Sequence, residues 1–288
     1  MLVQTGTGLL SMIEKTTNIV QSDTNNTYRK LSIQVGLNGL SFCVLDTITN
    51  KILAFERDSF KSPLTPYLLL KELKAKLSQQ GDIGKNFSEV VVIHKNNMFS
   101  LVPKALFNKE ELPNYLKFNA KIMANDLIVY DEIPNQEMVN VYIPYTNINN
   151  YIFELFGEFE FKHSGTVLIT SLLGQSRVSS EPTCYVQVSK KEMEMMVVSE
   201  KKLLFYNQFE YKTKEDFLYY LLFGLEQLQM NLEKIQLKLF GAIEEGDPIF
   251  ELCYQYIDQV SVFVPSSSSF PLENLEDESI DFSILSSL

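Results

Sequence analysis

This chain contains one structural unit twice. Residues 30–46 (KLSIQVGLNGLSFCVLD) lie over residues 183–199 (TCYVQVSKKEMEMMVVS) without a gap. Ile33-Gln34-Val35 then falls on Val186-Gln187-Val188, Leu40 on Met193, Phe42 on Met195 and Val44 on Val197. Apolar residues alternate as a strand with one buried face requires, so each copy reads as strand, short polar turn, strand. The first turn, Gly36-Leu37-Asn38-Gly39, holds glycine and asparagine, which tolerate positive φ. A third strand follows in each copy, at residues 51–55 and 202–206. Next comes a helix. Over residues 66–79 Leu69, Leu70, Leu73 and Leu77 share a face; over 214–230 the stripe is Phe217, Leu221, Leu225 and Leu228. Thr213 and Asp216 form a capping-box pair ahead of the second helix. Each copy closes on an apolar strand, at 90–93 and 235–239, and a right-handed crossover sets it parallel to the first strand.

Three meandering strands, a helix and a returning strand begin an RNase H-like unit. The fold class expected is therefore α/β, with two such lobes and a cleft between them. Material between the copies completes the first lobe: a helix at 109–118, a strand at 138–143 ended by Pro144, and a helix from a Thr146 cap to Phe156. A strand at 159–162 and a helix at 165–173, stopped by Gly174, lead into the second lobe. The expected division is a loose N-terminal segment (1–26), lobe one (27–165), lobe two (166–265) and a flexible Ser-rich tail (266–288) with five acids and no basic residue.

With 45% hydrophobic residues, 20 Phe and 14 Tyr, the chain can bury a large core. Its net charge of −11 repels nucleic-acid phosphates and anionic membrane surfaces, so no nucleic-acid partner is expected. Cys43, Cys184 and Cys253 are too widely spaced for a metal knuckle or a disulfide framework and read as free thiols. No basic segment precedes a sustained apolar run at the N-terminus, which excludes a signal peptide from the reading. The longest apolar run (217–225) falls short of the ~20 residues a membrane span needs. A cytoplasmic protein with no membrane span is expected.

Residues 206–228 (YNQFEYKTKEDFLYYLLFGLEQL), with LSIQVGLNGLSFCVLD upstream, resemble an uncharacterised bacterial family of unknown function typical of Bacteroidetes and grouped with the actin-like ATPases. Two RNase H-like units in tandem likewise resemble the actin, sugar kinase and Hsp70-like superfamily. The resemblance covers about residues 29–264 and implies an actin-like architecture, with no established activity to carry over. The distantly similar pilus and secretion platform proteins use this fold as an assembly scaffold.

The resemblance also says what a nucleotide site would need: an acid in each hairpin to hold the metal through water, glycine-rich turns whose N–H groups approach the phosphates, and a later glycine pair against adenosine. In this chain the two acid positions fall on Gln34 and Gln187. Leu37 interrupts the first turn, residues 189–192 lack glycine, and Gly241 is followed by Ala242. A neutral amide does not supply the charge that a Mg²⁺–phosphate complex takes from a hard oxygen ligand. Gln34, Gly36, Gly39, Gln187 and Gly241 are thus degenerate cofactor-binding positions. The glutamines read as structural amides bridging strands across the cleft and the glycines as turn residues. No cofactor, metal or ATP turnover is expected.

Elsewhere, His94 and His163 lack a partner motif and suit capping or surface roles. Ser164 lies in HSGT, without the Gly-x-Ser-x-Gly elbow. Glu215 and Asp216 fit a helix first turn. Met193, Met195 and Met196 are either an adaptable partner surface or core. Tyr219 and Tyr220 diverge on a helix, so one is left to anchor an interface or to pack between lobes. Together these point to a non-catalytic actin-like scaffold or adaptor that meets a protein partner or itself. The alternative is a divergent nucleotide-binding protein with little or no turnover, and an unrelated enzyme using His94 or His163 comes third.

Overall fold

The computed structural model describes residues 28–79, 87–175, 181–264 and 282–288. These form two compact units, one reaching to Leu168 and including Ser283–Leu288, the other Ile169–Phe282. In the first unit the hairpin is β1 (Arg29–Gly36) with β2 (Gly39–Asp46), extended by β3 (Lys51–Ser59). Helix α1 (Pro66–Gln79) leads to β4 (Glu89–Lys95), which lies parallel to β1 with Gln34 opposite Ile93. The five-stranded sheet has the order β3-β2-β1-β4-β8, where β8 is Glu160–His163. Between β4 and β8 stand β5 (Phe99–Pro103), α2 (Leu112–Leu116), β6 (Val129–Ile133), β7 (Met138–Tyr142) and α3 (Thr146–Phe156). These strands form a separate sheet, β5-β7-β6, over its own core of Val102, Leu112, Leu116, Val139 and Val141.

After α4 (Ser164–Gln175), inside which the division between units falls, the second unit repeats the plan. Its sheet runs β11-β10-β9-β12-β13, from β9 (Thr183–Val188), β10 (Glu192–Ser199), β11 (Lys202–Glu210), β12 (Gln236–Gly241) and β13 (Gln259–Val262). Again the fourth strand lies parallel to the first, with Phe240 beside Gln187. Helix α5 (Lys214–Gln227) starts at the expected capping box: Thr213 Oγ1 accepts from Asp216 N at 3.1 Å and Asp216 Oδ2 accepts from Thr213 N at 3.1 Å. Phe217, Leu221 and Leu225 are fully buried against Val186, Val188, Met193 and Met195, each burial contributing roughly 1.5–3 kcal/mol. Helix α6 (Pro248–Tyr254) packs beside α5 and connects β12 to β13.

Several expectations change. The third strands run on to Ser59 and Glu210, because polar residues are tolerated on an edge strand. Glu56 and Asp58 lie on one face of β3 and meet Lys76 of α1 at 3.1 and 2.8 Å. Gly174 does not stop α4, which continues to Gln175. The 109–118 helix is a single 3₁₀ turn, Lys109–Glu111, followed by the short α2, with Pro113 in its first turn. The loose N-terminal segment and residues 266–281 of the tail lie outside the described residues. The described part of the expected tail is ordered: Phe282–Leu285 forms a one-turn helix, α7, whose Phe282, Ile284 and Leu285 are buried. Apolar side chains there outweigh the acidic composition upstream. Ser287 also hydrogen-bonds Ser32 of β1.

Candidate functional site

The two hairpins place the candidate positions within strands rather than at turn tips. Gln34 is buried on β1, flanked by Ser41 on β2 and Ile93 on β4. Alternation sends Ile33 and Val35 to the opposite face. Gln187 holds the matching position on β9, flanked by Glu194 on β10 and Phe240 on β12. Glu194 in turn faces Gln208 on β11, so the second sheet carries a polar row Gln187–Glu194–Gln208. Glu194 is a buried carboxylate, and Tyr206 OH donates to its Oε1 at 2.8 Å. The sequence reading missed it, although the repeat register sets it opposite Gln187, where the first copy has Ser41. A single buried carboxylate in this row is not a cation site by itself, and no group of three or more His, Cys, Asp or Glu set to hold a metal occurs among the described residues.

The glycines are explained by close backbone approach. Gly36, Asn38 and Gly39 do not adopt positive φ, contrary to the expectation for this turn. A Cβ on Gly39 would lie 2.5 Å from Asp58 O on the neighbouring strand, and one on Gly36 would lie 3.3 Å from Lys95 O. Gly241 has φ 95°, and its Cβ would meet Val188 O at 2.5 Å, where Ala242 N donates at 2.8 Å. All three therefore serve the sheet backbone.

Both histidines are fully buried in the first unit. His94 Nδ1 accepts from Tyr145 N at 3.2 Å, so the proton sits on Nε2, which donates to Asn149 Oδ1 at 2.8 Å. The bond from Tyr145 N engages the N-cap residue of α3, where Tyr145, and not Thr146, stands at the cap. His163 Nδ1 accepts from Gly165 N at 3.0 Å in the first turn of α4, and its Nε2 donates to Asn96 O at 2.9 Å. The capping reading holds and the surface one does not. Burial lowers His94 to about 3 and His163 to about 4, so both are neutral near pH 7 with every ring nitrogen engaged. Neither is free to take a proton from a substrate.

Beside His163 lies Asp131 on β6, a second residue the sequence did not single out. Its Oδ1 accepts from Tyr142 OH at 3.0 Å and its Oδ2 from His163 N at 2.9 Å. The Thr166 hydroxyl also bonds it, and Asn140 Nδ2 donates to Thr166 Oγ1 at 3.0 Å. Burial lifts the Asp131 carboxyl to about 6 despite these donors. Ser164 is buried too. This network joins the small sheet to α4 and offers no nucleophile with an adjacent base.

On α5 the two tyrosines separate as helical geometry requires. Tyr219 is 62% exposed and stacks on Phe223 (centroids 6.0 Å, 17° between planes). Tyr220 is half-buried and stacks on Phe209 of β11 at 4.9 Å. Met193, Met195 and Met196 are fully buried, so that cluster is core and not a partner surface. The three cysteines are free and buried, with burial pushing the Cys43 and Cys253 thiols up to about 12.

Residues 19–260 match the family described as "Protein of unknown function (DUF3822)". The chain belongs to this family. No curated protein matches it. Among solved structures, the chain is similar to a Bacteroides thetaiotaomicron protein described as having an actin-like ATPase fold and unknown function. That match has 22% identity, covers 85% of this chain and 94% of that one, and has a TM-score of 0.74. It is also similar to a chain of the PilM–PilN type IV pilus biogenesis complex, at 11% identity, 89% and 96% coverage and a TM-score of 0.59. The DUF3822 chain thus has the actin-like ATPase fold, with two repeated α/β units as the sequence repeat required. No helix among its described residues is long and apolar enough to cross a membrane.

Proposed function

We propose that this protein is a non-catalytic actin-like scaffold or adaptor, acting in the cytoplasm through contact with a protein partner or with itself, without a nucleotide or metal cofactor. The observation that carries this reading is the pair of buried glutamines, Gln34 and Gln187, at the strand positions where the fold's nucleotide chemistry would need acids. The supporting glycines are already committed to backbone packing. Likeness to a chain of an assembly complex, PilM–PilN, adds support for a partner-binding role. Tyr219 is the side chain offered to such a partner, whereas Tyr220 is engaged by Phe209.

One observation favours a second reading. Glu194 supplies a carboxylate beside Gln187, which is the feature a divergent nucleotide-binding protein with little turnover would retain. Thermal unfolding of the full chain with Mg-ATP or Mg-ADP separates the two. A ligand at about a hundred times its dissociation constant adds about 2.7 kcal/mol of stability. The scaffold reading expects no shift and no phosphate release. A clear rise in Tm with either nucleotide, lost in Glu194→Gln, would overturn it in favour of the second.

A further inference from the structure

The outer side of the helical layer in the second unit combines exposed aromatic rings with predominantly acidic side chains. Tyr219 and the 45% exposed Phe223 stack on α5, and on the neighbouring α6 the 61% exposed Tyr254 stacks on Phe250 (centroids 6.4 Å, 12°). Tyr256 is exposed just beyond. Residues 215–233 hold Glu215, Asp216, Glu226 and Glu233 and residues 239–264 hold Glu244, Glu245, Asp247, Glu251 and Asp258, with the nearest cations, Lys212, Lys214, Lys234 and Lys238, only at the borders of these two stretches. Glu215, Tyr219, Phe223 and Glu226 follow one another along the exposed side of α5, so the rings lie between carboxylates.

We propose that this face docks a lysine- or arginine-bearing amphipathic helix of a partner protein. The inference rests on the scaffold reading and gives the partner its chemistry. An apolar stripe on such a helix would cover Tyr219 and Phe223, as helix-in-groove contacts do. Its cations would meet Glu215 and Glu226 and the π faces of the exposed tyrosines, which attract ammonium and guanidinium groups. An acidic or neutral helix would leave the carboxylates unbalanced. A second copy of this chain is a poor occupant. Its net charge is −11, and of the three lysines on α1, Lys76 is held by Glu56 and Asp58 and Lys74 sits over the Tyr151 ring, which leaves Lys71 alone to meet the carboxylates.

The probe is a fluorescent amphipathic peptide of about 18 residues with leucines on one face and lysines on the other, beside a version with glutamates in place of the lysines. The full-length protein is titrated and anisotropy recorded. The lysine peptide binds and the glutamate peptide does not. Binding weakens about tenfold or more in Tyr219→Ala/Phe223→Ala, whose circular dichroism matches the parent, and also in Glu215→Gln/Glu226→Gln. It weakens again between about 50 and about 500 mM salt. Equal binding of the two peptides, no binding of either, or full affinity in both double variants overturns the proposal. An oligomer dispersed by Tyr219→Ala/Phe223→Ala would make a second copy the occupant and overturn it too. Failure here leaves the scaffold reading standing so long as Mg-ATP and Mg-ADP produce no thermal shift.

Discussion

Acidification should destabilise the first unit by an amount set by three buried groups. His94 and His163 titrate at about 3 and about 4 when folded, below the ~6.5 of a solvated imidazole. Each therefore contributes stability that is present above about pH 6.5 and lost as the pH falls towards its folded value. Asp131 works the other way. Its folded value of about 6 lies above the ~3.9 of a solvated aspartate, so it contributes stability that is fully present below about pH 3.9 and lost as the pH rises through about 6. Near pH 5 unfolding takes up about two protons on the histidines and releases about one from Asp131, a slope of about 1 kcal/mol per pH unit. Between pH 7.5 and 5 each histidine costs about 2 kcal/mol and Asp131 returns about 1, for a net loss of about 3 kcal/mol. Urea unfolding across this range, followed by circular dichroism because the chain has no Trp, measures the loss. Hydrogen exchange in β4 and β8 assigns it to the first unit. His163→Gln, which cannot titrate, should flatten the slope near pH 5 to about zero, and Asp131→Asn should roughly double it. An unchanged slope in His163→Gln would refute the assignment.

Two further substitutions test the hairpins. Tyr206→Phe removes the hydroxyl that donates to buried Glu194 and should cost about 1–3 kcal/mol in urea unfolding; a cost near zero would mean the carboxylate is otherwise satisfied. Gly241→Ala forces a Cβ to within 2.5 Å of Val188 O at positive φ, so a loss of at least about 1 kcal/mol is expected, and a neutral or stabilised variant would contradict the close approach.

Much of the fold was legible because the repeat fixed register. Once residues 33–35 lie over 186–188, the parallel return of β4 and β12 follows from the crossover rule, and both appear. Thr213 and Asp216 were equally plain, since a capping box is local. Less could be read between β4 and β8. Asp131 sits in VYDEI, a short strand whose polar residues resemble a loop, and its burial depends on Tyr142 and His163, partners 11 and 32 positions away. Glu194 stands between methionines that the core claims, and its place opposite Gln187 in the hairpin is what accounts for it. The capping roles of His94 and His163 rest on backbone N–H groups of Tyr145 and Gly165, and the first of these is 51 residues distant. Composition also misled at the C-terminus, where acids upstream obscured the buried Phe282, Ile284 and Leu285.

The separate sheet β5-β7-β6 changes what the chain must do to assemble. In the second unit β13 joins β12 with Gln259 pairing Gln236, about 23 positions earlier, whereas in the first Glu160 pairs Val91 across about 70. For featureless chain that longer closure costs about 1 kcal/mol more. Phe99 and Tyr142, however, are already paired within the small sheet, whose core is its own. Once that sheet has formed it ties off about 43 of those positions and leaves an effective loop of about 26. The insertion therefore works as a staple, giving the two unequal halves of the chain nearly equal entropic distances to close.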